Sequence, residues 1–152
     1  MQTIKSWFGE ASWQKVVSVN QSQCQAQDVP HQYNSKHLDA QNLWEANFTR
    51  KTSLRQALDL CRQCNDLRPF LYNCSNTFTS LGKSIVEDWA QRLGSVDAHI
   101  LRTTVAHYIE SHIHEKELTV TLKYLESKPQ SSEIQAKTQA PIIASVQRRQ
   151  LA

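Results

Sequence analysis

The sequence predicts an all-α fold, a small three- to four-helix domain with flexible N- and C-terminal arms, and three observations predict it. Apolar residues recur at helical spacing from Ser53 to Leu125, the only sustained stretch of that period in the chain. The flanks are rich in Gln and Ser and carry only short aromatic or aliphatic islands. Helix punctuation at Ser53, Pro69 and Gly94 falls where the periodicity breaks. The implied organisation is a flexible arm with aromatic islands over 1–50, a helical domain over 51–126, and a disordered linker with a short amphipathic tail over 127–152.

Ser53 opens the first helix of the domain, with Gln56 three residues on in a capping-box pattern and Leu54, Ala57, Leu58, Cys61 and Cys64 on one face. That helix must end before Pro69, which lacks an amide hydrogen and disfavours helical geometry at Arg68. Residues 69–78, PFLYNCSNTF, are too apolar for a solvated turn and predict a connector inserted between helices. A second helix is expected from Thr79 or Ser80 to Leu93, carrying Leu81, Ile85, Val86 and Trp89, with Gly94 as its C-terminal stop. A third begins at once, capped by Ser95 or Asp97, with a stripe of Ala98, Leu101, Val105, Tyr108, Ile109 and Ile113, so that the two form a helical hairpin. Residues 118–125 fit both a strand and a helix; the lack of a strand partner favours a fourth helix. Leu58, Trp89, Leu101 and Val105 are expected to share one interior.

The arms read differently. Asn20 to Ser35 has no period and predicts a flexible linker. Around it lie two islands, one holding Trp7, Phe8, Trp13, Val16, Val17 and Val19 and the other Leu38, Leu43, Trp44 and Phe48, which either pack back onto the helices or dock onto a partner. In the C-terminal tail Ile142, Ile143 and Val146 with Arg148 and Arg149 make a tethered amphipathic element of the kind that folds into a partner's groove.

Charge by segment narrows the function classes. Lys/Arg and Asp/Glu balance within 1–50 and within 51–126, so the whole formal excess of +3 lies in the last segment. A balanced core disfavours a nucleic-acid face, which gathers cations on one surface. No apolar run approaches a membrane span or a secretory leader, which predicts a cytoplasmic protein with reduced cysteines.

Two constellations could carry metal chemistry. Cys61-x-x-Cys64 with Cys74 could supply three thiolates to zinc or to an iron–sulfur cluster, although the same positions suit small buried hydrophobes. His107, Glu110 and His114 would share a polar face if the third helix continued through them, while His112 would lie within its apolar stripe. Leu81-Gly82-Lys83-Ser84 lacks the earlier glycine of a phosphate-binding loop, and no nucleophile elbow is present.

The sequence therefore points to a non-enzymatic adaptor, assembly factor or regulatory subunit, without a required cofactor. It would bind a protein partner, in a larger complex or a homo-oligomer, through Trp7, Phe8, Trp13, Trp44 and the tail residues together with the helical surface. The alternative is a zinc or iron–sulfur protein using Cys61, Cys64 and Cys74 with His107 or His114. A weaker alternative is a helical nucleic-acid-binding regulator.

Overall fold

The computed structural model describes residues 11–50 and 53–128. Those residues form an all-α fold of six helices: α1 Trp13–Ala26, α2 His37–Asn47, α3 Leu54–Asp66, α4 Cys74–Gln91, α5 Ser95–Ile109 and α6 Glu115–Glu126, with a 3₁₀ turn Phe48–Arg50 after α2. Two more helices are present than the higher count expected, and both come from the segment read as a flexible arm. Buried apolar residues from Ala11 to Leu125 belong to one core, so α1 and α2 are integral to the domain.

α1 buries Trp13, Val16, Val17, Asn20 and Cys24, a helical stripe with a polar residue at its centre. Asn20 and the Gln/Ser neighbours hide that stripe from a hydropathy reading. α1 ends at Ala26; two residues on, Asp28 takes φ +58°, and the Val29 amide returns to the Cys24 carbonyl at 3.0 Å to satisfy the last turn. α2 contributes Ala40 and Trp44, and the fully buried Trp44 indole donates to the Ala11 carbonyl at 2.7 Å.

α3 starts as the sequence predicts, with the Gln56 amide donating to Ser53 Oγ at 3.3 Å, and it gives way at Leu67, ahead of Pro69. α4 begins at Cys74, five residues before Thr79, because Asn73 adopts φ +59° and accepts the Thr77 amide and hydroxyl on its carbonyl. Cys74 and Phe78, assigned by sequence to the connector, are thus the first turns of the α4 stripe. Gly94 does not stop α4, which gives way at Arg92; it precedes α5 in an extended conformation, and its carbonyl accepts the Ala98 amide at 2.8 Å. α6 confirms the helical reading of 118–125 and buries Leu118, Leu122 and Leu125.

The helical hairpin is present, and Gly82 of α4 lies directly against Ile109 and Val105 of α5. A Cβ there would collide with Ile109 Cδ1 and press on Val105 Cγ1. Gly82 is therefore required by packing and not by phosphate binding. Leu58, Trp89, Leu101 and Val105 are all buried in the common core. Among the described residues no helix is long and apolar enough to cross a membrane.

Replacing Gly82 by alanine should lower the unfolding free energy by about 1–3 kcal/mol through overpacking, measured by denaturant titration. Trp44→Ala should cost roughly 3–5 kcal/mol in the same measurement. A Trp44→Ala protein as stable as the parent would remove Trp44 from the core.

Candidate binding face

Two connectors meet at one end of the helices. Tyr33 and Phe70 form an antiparallel bridge, flanked by the Asn34 amide on the Pro69 carbonyl and the Leu71 amide on the Gln32 carbonyl, both at 2.9 Å. Phe70 is fully buried and stacks on Trp13 at 5.8 Å and on Phe78 at 6.2 Å, which anchors the pair to the core. The neighbouring side chains face solvent instead. Tyr33, Leu71 and Tyr72 are 45%, 47% and 40% exposed, and Leu38, in the first turn of α2, is 58% exposed.

Asn20 fixes this arrangement from below. Its side-chain amide donates to the Tyr72 carbonyl at 2.8 Å and to Thr77 Oγ1 at 3.0 Å. Its Oδ1 accepts from His31 Nδ1 at 2.7 Å and from the Cys24 thiol at 3.5 Å. One buried amide thus joins α1, the segment before α2, the connector before α4 and α4 itself. Above it, the His31 ring lies edge-on to Tyr33 at 4.9 Å, and Tyr33 stacks on His37 at 4.4 Å. The sequence offered two pointers to this face, the apolar PFLY connector and Leu38 of the second island; Asn20 lay in the segment taken for a linker.

A second feature is a cleft of about 360 Å³ where α3, α5 and the start of α6 meet, lined by Asp59, Arg62, Gln63, Asp66, Tyr108, His114 and Glu115. Many of its polar groups are engaged with one another. Tyr108 donates to Asp59 Oδ1 at 2.5 Å, and Arg55 reaches Asp59 at 3.4 Å and Glu115 at 3.3 Å. Arg62 lies 4.6 Å from the Tyr108 ring and donates to Ser111 Oγ, which in turn donates to Asp66. Burial, and then the bond to the Asp59 carboxylate, push the Tyr108 phenol up from its ordinary value. Such a phenol stays protonated at neutral pH and is a poor base. The cleft acts as a polar buckle holding α3 to α5 and α6.

The cysteines are buried thiols. Burial, reinforced by Cys74, pushes Cys64 up to about 12, and burial with Cys64 beside it pushes Cys61 well up. Cys74 is raised by burial too, and it donates to Asn65 Oδ1 at 3.3 Å while Cys64 faces the Ala40 carbonyl at 3.7 Å. Thiols held so far from ionisation sit in the core as small protonated hydrophobes. Among the described residues no group of three His, Cys, Asp or Glu side chains could hold a metal ion. The histidine line dissolves for a local reason: α5 ends at Ile109, Ser111 takes φ +63°, and the His112 amide closes the end onto the His107 carbonyl at 2.8 Å. His107 stays on α5, whereas His114 precedes α6, where its amide donates to Glu117 Oε1 at 3.1 Å. His112 is 64% exposed beside Glu110 and does not belong to an apolar stripe.

Of the residues expected to meet a partner, Trp13 and Trp44 are core, 5% and 0% exposed, and so cannot serve as surface anchors. A tryptophan stripe with Val16, Val17 and Ala40 buries more apolar area against α4 and Phe70 than it could on a surface. Trp7, Phe8, Ile142, Ile143, Val146, Arg148 and Arg149 lie outside the described residues. Comparison of the chain with protein-family models, curated proteins and solved structures gives no match.

If the thiols are buried as described, the native protein should resist a soluble thiol reagent near neutral pH, and all four cysteines should react on unfolding. Fast labelling of Cys61 or Cys64 in the folded protein would contradict their placement.

Proposed function

We propose that this chain is a non-catalytic binding module, working as an adaptor, assembly factor or regulatory subunit, which receives an apolar segment of a protein partner on the face formed by 31–38 and 69–73. The observation that carries the reading is the exposure of Tyr33, Leu38, Leu71 and Tyr72 on backbone that is pinned from beneath by Asn20. Tyrosines on a preorganised surface are favourable anchors, because they bury large area with little loss of side-chain freedom and can still donate a hydrogen bond. Lys/Arg and Asp/Glu are equal in number over the described residues, which favours a protein over a nucleic-acid backbone as the partner. The self-engaged cleft and the protonated, buried thiols favour binding over catalysis. The undescribed termini, with their Trp/Phe and Ile/Val islands, remain available as additional contacts under this reading.

The test is affinity capture with the full chain followed by quantitation of each captured protein. Tyr33→Ser with Leu71→Ser and Tyr72→Ser should weaken specific capture by about tenfold or more. The melting temperature should hold close to the parent's, because these side chains are exposed. Val96→Ser, at a position 70% exposed on α5, is the matched control and should change nothing. Retained capture by the triple variant, with loss on deleting 129–152, would transfer the binding role to the tail.

A further inference from the structure

The polar network under the face contains one group that it leaves unsatisfied. Among the described residues His31 Nε2, itself buried, has no hydrogen-bond partner, while Nδ1 is held by Asn20. The tautomer follows from the Asn20 amide. Because Nδ2 of Asn20 donates to Tyr72 and Thr77, its Oδ1 must be the atom facing His31, and an oxygen there requires a hydrogen on Nδ1. Turning the Asn20 amide over would set its oxygen against the Tyr72 carbonyl. The neutral ring is therefore the Nδ1–H tautomer, with the Nε2 lone pair enclosed beside Phe70, at 5.6 Å between centroids, and Tyr33.

We propose that His31 is an acid-sensitive latch: protonation of Nε2 loosens the pairing of 31–34 with 69–71 and so remodels the exposed face. A proton on Nε2 creates a buried cationic donor with no acceptor, whereas the neutral ring costs only an idle lone pair. Relief comes when the segment carrying His31 swings the ring to water, and that movement breaks the Asn34 and Leu71 amide bonds. Among the described residues the groups that meet the ring are Asn20 from α1, Phe70 from the second connector and Tyr33 from its own segment, with Cys24 and the Tyr72 carbonyl behind Asn20 and His37 of α2 behind Tyr33. None of these is a carboxylate that could hold the imidazolium in place. The aromatic faces offer a cation some attraction, but desolvation outweighs it, and the His31 pKa lies below the usual histidine range. The sign follows: stability contributed by neutral His31 is complete above the unfolded value near 6.5 and drains away as pH falls below it toward the depressed folded value.

In its consequence for partner binding the proposal rests on the function given above; the latch itself does not, and it is measured on the free protein. Native-state amide exchange, corrected for intrinsic rates, should show Asn34 and Leu71 losing protection severalfold between about pH 7.5 and about pH 5.5, while Leu101 and Val105 in α5 stay protected. His31→Gln, which can still donate to Asn20, should abolish the pH dependence, and His31→Phe serves the same purpose should the glutamine protein fold poorly. Nitrogen-detected imidazole spectra should report the Nδ1–H tautomer at neutral pH. Unchanged protection of Asn34 and Leu71 on acidification, or an Nε2–H tautomer, would overturn the latch. A latch that works while the Tyr33/Leu71/Tyr72 variant captures partner normally would overturn only the binding assignment.

Discussion

The course of the two connectors depends on one buried amide, that of Asn20. Asn20 sits in the centre of the α1 stripe, where an apolar residue would be expected, and uses both of its donors and its oxygen on groups from other segments. A buried amide is tolerated only when its partners are supplied, and each stranded partner would cost about 1–3 kcal/mol. That requirement fixes the position of the Tyr72 carbonyl, the Thr77 hydroxyl and the His31 ring at once. Hydrophobic burial alone would hold α1 against α4 without specifying where the connectors run. Asn20 supplies the register.

Around that point the helices divide into two kinds of packing. At Gly82 the absence of a side chain makes room on α4 for the Ile109 and Val105 side chains of α5. Elsewhere large residues fill the space between helices, with Trp13, Phe70, Phe78 and Trp44 forming a chain of rings from α1 through the connector to α2. Polar linkages then work at the margin. Arg102 grips Glu87 across the hairpin at 2.9 Å, and the Tyr108–Asp59–Arg55–Glu115 series ties α3 to α5 and α6. These pairs are partly exposed and contribute alignment more than net stability.

The same economy explains where a binding surface can arise. On the helices exposed apolar side chains such as Val96 and Val120 stand far apart in sequence, whereas the connectors, turned inward at Phe70, leave Tyr33, Leu71 and Tyr72 outward. Leu71 is exposed because Phe70 is not, since extended backbone sends successive side chains to opposite sides, while Tyr33, bridged to Phe70, lies on the same side with its ring 5.9 Å from the Phe70 ring and caps it toward solvent. A face made in this way is rigid without being part of any helix, and its stiffness comes from a polar network that includes a titratable ring. Binding and acid sensitivity would thus share one physical origin.

The amino-acid sequence by itself determined the all-α class, the helical hairpin, the Ser53 cap, the end of α3 before Pro69 and the helical state of 118–125, because these rest on local spacing and on backbone chemistry that neighbours do not alter. Tertiary structure decided the rest. Trp13 and Trp44 read as anchors for a partner until α4 and Phe70 are seen to enclose them, and residues 20–26 read as a linker until long-range bonds satisfy Asn20, Gln23 and Cys24. The start of α4 at Cys74 required a left-handed Asn73, and the parting of His107 from His114 required a left-handed Ser111. In each case a polar or conformationally awkward residue interrupts the hydropathy pattern. Its cost is offset by partners dozens of residues away, which no local window of sequence contains.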